Sequence, residues 1–151
     1  MQHIFDANVA QAYINRINNL PPETQGKWGK MSVDQVLAHL NVAYETIYEP
    51  EKHPKPGFIA GLLLKNFVKS KTVNELPYKH NLPTGPMFII KGNKNFDEEK
   101  KRLIGFIQKT QQLGSTAFDG KMSHSFGKLT AQEWNNMLAK HLNHHLEQFG
   151  V

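Results

Sequence analysis

The sequence predicts an all-α fold: a four-helix bundle, plus a short extra helix and long loops. Three observations carry this. Apolar residues recur at three- and four-residue intervals in four separate stretches, the period of one helix face. Two of those stretches open on a capping-box pattern, Ser32 with Gln35 and Thr130 with Glu133. The run of strand composition at Met87-Phe88-Ile89-Ile90 has no second strand to pair with and reads as extended loop. The chain has 151 residues, the size of one domain, and is read as one over 1–151.

The first helix runs from about Asp6 to Leu20. Val9, Tyr13, Ile17 and Leu20 share a face, and Pro21-Pro22 stops it. Glu23 to Lys30 is a polar loop around Trp28. The second helix follows Ser32 and carries Val33, Val36, Leu37, Leu40, Tyr44 and Ile47 as its apolar stripe, ending at Pro50. Pro56 is suited to the first position of a short helix, in which Phe58, Ile59, Leu62, Leu63 and Phe67 recur at helical spacing. Asn74 to Pro86 holds three prolines and a glycine and reads as irregular. Asp97 caps the next long helix, which carries Leu103, Ile107 and Thr110 on one face and ends at Gly114. Ser115 to Lys128 is loop. The last helix places Trp134, Met137, Leu138, His141, His145 and Gln148 on the 3.6 period and ends at Gly150. Loops of about a dozen residues or more are long for a simple bundle, and read as crossovers or as walls of a site.

Composition narrows the function classes. Hydrophobic residues make up 39% and charged residues 21%, the balance of a folded globular chain and not of a disordered or membrane one. The longest strongly apolar run, Phe58 to Leu64, is far shorter than the roughly 20 residues of a membrane span. Met1 to Asp6 lacks the basic and apolar regions of a secretory leader, so none is expected. The absence of cysteine removes disulfides, a thiol nucleophile and thiolate metal sites, and a cytoplasmic location is the default expectation. Any metal must then be held by histidine, carboxylate or water. The formal charge of +5 is unevenly spread. Residues 51–110 carry twelve Lys/Arg against five Asp/Glu, while 1–50 carry three against five and 111–151 carry three of each. Lys65, Lys69 and Lys71 flank Phe67 without any nucleic-acid motif, so the stripe reads as solvated surface. No specific nucleic acid and no membrane is expected as a partner.

The histidines are the chemical signal. There are eight, and His141, His144 and His145 fall within one helical turn or so. With Trp134 at the origin of a helical wheel, His141 and His145 land within about 20° of it and His144 about 80° away. Two imidazoles at the centre of an apolar stripe must each satisfy two ring nitrogens, and cannot both be charged cheaply. Side chains four residues apart on a helix can converge on one divalent ion. The pair can equally be two hydrogen-bonded imidazoles or the wall of a wet pocket, and spacing alone leaves these open. A third ligand would come from another helix. His39 is the candidate, on the flank of the second helix about 110° from its stripe. His3, His53, His80 and His124 lie in loops or at the terminus and read as surface.

Two blocks of sequence resemble a known superfamily. Trp28-Gly29-Lys30-Met31-Ser32 with Gln35 and Leu37-Ala38-His39-Leu40 is similar to the start of the second helix in DinB-like (YfiT-like) proteins. Trp134, followed by His141-Leu142-Asn143-His144-His145-Leu146-Glu147-Gln148-Phe149-Gly150, is similar to the metal-binding end of the same superfamily, in a branch without assigned function. The resemblance implies a four-helix bundle with crossover connections, often a homodimer. It also implies a divalent ion (zinc, nickel or iron) held by three histidines. Residue by residue, these ligands are His39, His141 and His145, and His144 is not one. Ser123-His124-Ser125-Phe126-Gly127 lacks the His-Pro that the branch usually shows before its Phe-Gly.

Characterised relatives include thiol-dependent S-transferases and a maleylpyruvate isomerase. The resemblance thus implies a metal-dependent enzyme, an S-transferase or hydrolase, that activates a small thiol or water for chemistry on a small molecule. The alternative is a metal-binding or stress-related module without turnover. Glu45, Glu49, Tyr44 and His144 are available as acids or bases, but spacing places none of them at the site, and no catalytic residue is assigned.

Overall fold

The computed structural model describes residues 3–151, and the described chain is mainly helical. Helices α1 (Ala7–Asn18), α2 (Val33–Tyr48), α5 (Phe96–Leu113) and α6 (Ala131–Gln148) are the long ones. Between α2 and α5, α3 (Phe58–Leu63) and α4 (Lys69–Val73) are joined by a π-helical turn over Leu64–Val68 into one rod. Strands β1 (Met122–Ser123) and β2 (Gly127–Lys128) form an antiparallel hairpin, with Met122 opposite Lys128 and Ser123 opposite Gly127.

The capping chemistry sets the helix starts. Asp6 accepts from the backbone N–H groups of Asn8 and Val9 and opens α1. Gln35 accepts from the Ser32 N–H at 3.1 Å, one half of the capping box that opens α2. Thr130 and Glu133 close the corresponding box on α6, with 2.9 Å and 3.2 Å bonds. For α5 the cap is Asn95 and not Asp97. The Asn95 side chain accepts from Glu98 N–H at 3.1 Å, and Asp97 lies inside the first turn with Glu98 and Glu99. Three carboxylates there favour the positive end of the helix dipole without serving as the cap. Gly114, at φ +71°, ends α5 in a conformation that a side chain would strain.

Helices α1 and α2 both pack along α5, and both also touch α6. Ile17, Leu37, Leu40, Leu103, Ile107, Trp134, Leu138 and Leu142 fill the space between them. Tyr13 ties α1 to α6, donating from its hydroxyl to the Ala139 carbonyl at 3.2 Å. Every residue of α2 from Val36 to Glu45 is buried. An apolar stripe alone does not predict that. It arises because α5, α6 and a one-turn helix at Pro86–Phe88 each cover a different side of α2.

Three local expectations are corrected, and one helix face proves to be exposed. Pro56 stands before the cap, Gly57, and does not open the helix. The segment read as extended at Met87 begins with that single turn at Pro86–Phe88. Ser115 to Lys128 contains the hairpin, which two-residue strands are too short to announce by alternation. The face with Phe58, Ile59, Leu62, Leu63 and Phe67 has helical spacing but does not face the core; all five side chains are exposed.

Candidate metal centre

His39 lies two turns into α2, and His141 and His145 lie one turn apart on α6. Packing of α2 on α6 brings their rings together. Ring centroids are 4.8 Å apart for His39 and His141, 4.6 Å for His39 and His145, and 5.0 Å for His141 and His145. Each offers one nitrogen, and these nitrogens lie within 4.8 Å of one another. The three form a group that could hold a metal ion. His39 and His145 are buried, and His141 keeps some exposed surface. His39 is thus not a rim residue, because the Pro86–Phe88 turn covers the flank that the wheel left open.

Neighbouring oxygens assign the protons. The Nδ1 of His39 is 2.9 Å from the Phe88 carbonyl, which can only accept, so His39 donates from Nδ1. Gln148 donates its amide to the Trp28 carbonyl at 2.6 Å. That leaves the Gln148 carbonyl oxygen facing His145, and the His145 Nδ1 donates to it at 2.7 Å. Both rings therefore turn a lone-pair Nε2 away from these partners. The Nε2 atoms of His39 and His141 are 2.9 Å apart. Two lone pairs cannot sit so close unaided. Either His141 Nε2–H donates to His39, or a cation takes the place of that proton.

The electrostatics favour neutral rings. Burial pushes His145 down to about 3, with the neighbouring His39 acting in the same direction. His141 lies well below the usual imidazole value, first by burial and then through His39 and His145. Burial also lowers His39, although its bond to the Phe88 carbonyl works against this. Neutral imidazole is the form that ligates a metal.

His144 does not join the three. Its ring is 5.7 Å from Trp28, 5.7 Å from Tyr78 and 6.0 Å from His80. Trp28 and His80 stack at 3.7 Å beside it. His3 is exposed, and neither it nor His53, His80 or His124 belongs to the group. His53 and His124 are not plain surface residues. His53 Nε2 is 2.6 Å from a Glu45 carboxylate oxygen, and His124 Nε2 is 3.1 Å from the His53 carbonyl oxygen.

Glu45 is also paired with Arg102 of α5. Burial would raise its carboxyl, but Arg102 and His53 hold it below the ordinary value. Glu49 pairs with Lys52 and, at 3.4 Å, with Arg102. The Tyr44 hydroxyl is buried and has no hydrogen-bond partner among the described residues. Sequence reasoning passed over Gln148 and the Phe88 carbonyl as supports. For Gln148 a signal existed, since it stands three residues after His145 on the same helix face. For Phe88 there was none, because a carbonyl carries no side-chain signature.

Residues 3–150 match the sequence profile of the family described as "Protein of unknown function (DUF1569)". No curated protein and no solved structure matches the chain.

Proposed function

The chain belongs to the DUF1569 family; on the sequence resemblance and the geometry of the three histidines, we propose that it is a metal-dependent enzyme of the DinB-like superfamily, built as a four-helix bundle with crossover connections. His39, His141 and His145 are its ligands, and zinc, nickel or iron is the ion. The observation that carries the reading is the pointing of the rings. The Phe88 carbonyl and Gln148 take the Nδ1 protons of His39 and His145, which leaves Nε2 of both free to ligate beside His141. Three neutral nitrogens with no fourth ligand among the described residues are the donor set of an open, catalytic-type site. The ion would supply Lewis acidity, lowering the pKa of a small thiol or of water.

The protein has no cysteine, so a thiol must enter as cosubstrate. Its own residues hold the ion, orient the imidazoles and keep them neutral. A panel of electrophilic small molecules, offered with and without low-molecular-weight thiols, tests the reading. Turnover is expected with the metal and not after chelation or in His39→Ala. Thiol transfer that survives complete metal removal would sink it.

One observation favours a second reading, a metal-binding or stress-related module without turnover. Among the described residues no carboxylate joins the three histidines, and Glu45 and Glu49 are engaged in ion pairs. Tight metal binding with failure of the whole panel would select it.

A further inference from the structure

The rod formed by α3, the π turn and α4 has apolar side chains that nothing among the described residues covers. Phe58 is 87% exposed, Ile59 75%, Leu62 52%, Leu63 53%, Phe67 66% and Val68 40%. In the π turn residues five apart fall in line, so Phe67 and Val68 continue the rows of Leu62 and Leu63. Midway along the rod the Lys65 stem lies beside Gly127 of the hairpin, and the rod is anchored at its far end. There α4 touches α6, and Lys140 of α6 donates to the Lys71 and Asn74 carbonyls at 2.8 Å each. At the near end a cavity of about 280 Å³ separates α3 from the hairpin, lined in part by Lys55, Phe58, Leu62, Lys65 and Met122.

Charge says what the face can meet. From Lys52 to Asn74 there are five lysines and no acidic residue. Lys52 pairs with Glu49 and Lys69 with Glu133. Among the described residues no carboxylate pairs with Lys55, Lys65 or Lys71. A second copy docked face to face would set these lysines against themselves, because a two-fold interface is self-complementary. An anionic lipid surface satisfies both features together. Its acyl boundary takes the Phe and Leu side chains, and its phosphates take the lysines. No helix among the described residues is long and apolar enough to cross a membrane, and a rod lying in the interface needs no such length. The expectation of no membrane partner rested on overall composition and on the missing span, and neither bears on a rod lying in the interface.

We propose that the exposed face of residues 58–68, flanked by Lys55, Lys65 and Lys71, binds peripherally to anionic lipid bilayers. This inference is independent of the metal reading. Cosedimentation with phosphatidylcholine vesicles, with and without phosphatidylglycerol, tests it. The protein should sediment with the anionic vesicles and not with the neutral ones, and high salt should weaken the binding. Phe58→Ser with Leu62→Ser should cut binding about tenfold or more, as should Lys55→Glu with Lys65→Glu. Leu113→Ser, at an exposed site on α5, should not. The substituted residues lie outside the core, and circular dichroism verifies that each variant folds. Absence of sedimentation with anionic vesicles, or equal binding by the Phe58/Leu62 variant, overturns the proposal. So does self-association of the native chain that the same substitutions abolish, which would give the face to a second copy.

Discussion

Gln148 is the residue on which most of the site geometry turns. It accepts from His145 Nδ1 and donates to the Trp28 carbonyl, and its own carbonyl accepts from Lys27 N–H at 2.7 Å. Gly29 makes room for it; at φ +79° a Cβ would stand 2.5 Å from the Gln148 amide nitrogen. Gln148→Ala should therefore weaken metal binding about 10–100-fold, the usual loss for a partner that orients a ligand. His39→Ala, His141→Ala and His145→Ala should each abolish tight binding, since each removes one of three donors. His144→Ala should spare most of it, because its ring lies toward Trp28 and Tyr78. Metal titration of the five variants checks all three statements. Binding lost in the His144 variant but kept in the His145 variant would exclude the triad.

At the scale of elements, Lys140 holds the 58–73 rod to the body. Its ammonium meets three oxygens at 2.8 Å, the carbonyls of Lys71 and Asn74 and the Asn74 side chain. Burial pulls it down to about 8, yet each of the three acceptors needs an N–H, which the ammonium provides. Lys140→Met keeps the stem and removes the donors. It should cost about 1 kcal/mol or more, the loss of hydrogen bonds to part-buried acceptors, read from urea denaturation. Hydrogen exchange should rise first in α4. The helices themselves were legible where a cap and a stripe coincide, as at Ser32 and Gln35 or Thr130 and Glu133. The rod was legible as a helix but not in its placement. Periodicity shows that a helix has an apolar face, and not whether anything covers it.

For the whole molecule, the buried imidazoles tie stability to pH. The folded value of His145, about 3, lies below its ordinary 6.5. Between the two, the unfolded chain binds a proton that the folded chain does not, so acid favours unfolding. This stability is fully present above pH 6.5, the ordinary value, and is lost as pH falls toward about 3. Its slope is at most about 1.4 kcal/mol per pH unit for each such histidine. His141 and His39 act in the same direction. Urea melts of chelator-treated protein at descending pH check it, and a midpoint that stays flat below the ordinary histidine range would exclude the shifts. Proton competition for the metal moves with them. An ordinary histidine site would release its ion near pH 6–7, whereas imidazoles already neutral in the folded chain should keep it to lower pH.

Helices α1, α2, α5 and α6, most of their ends, and the single-turn spacing of His141 and His145 can all be read from the residue order. These are local matters, settled by caps, breakers and a 3.6 period within one stretch of chain. The same order marks His39 as a candidate, but on a flank. That His39 is buried with its Nε2 2.9 Å from that of His141 follows from packing. That distance depends on how α2 crosses α6 and on the Phe88 carbonyl arriving from a distant loop. Tertiary structure alone likewise decided that Glu45 serves Arg102 and His53, and that the apolar face of the rod is left uncovered. Each is a relation between segments far apart in the chain, fixed by the packing of whole elements around a shared core, and no local pattern encodes it.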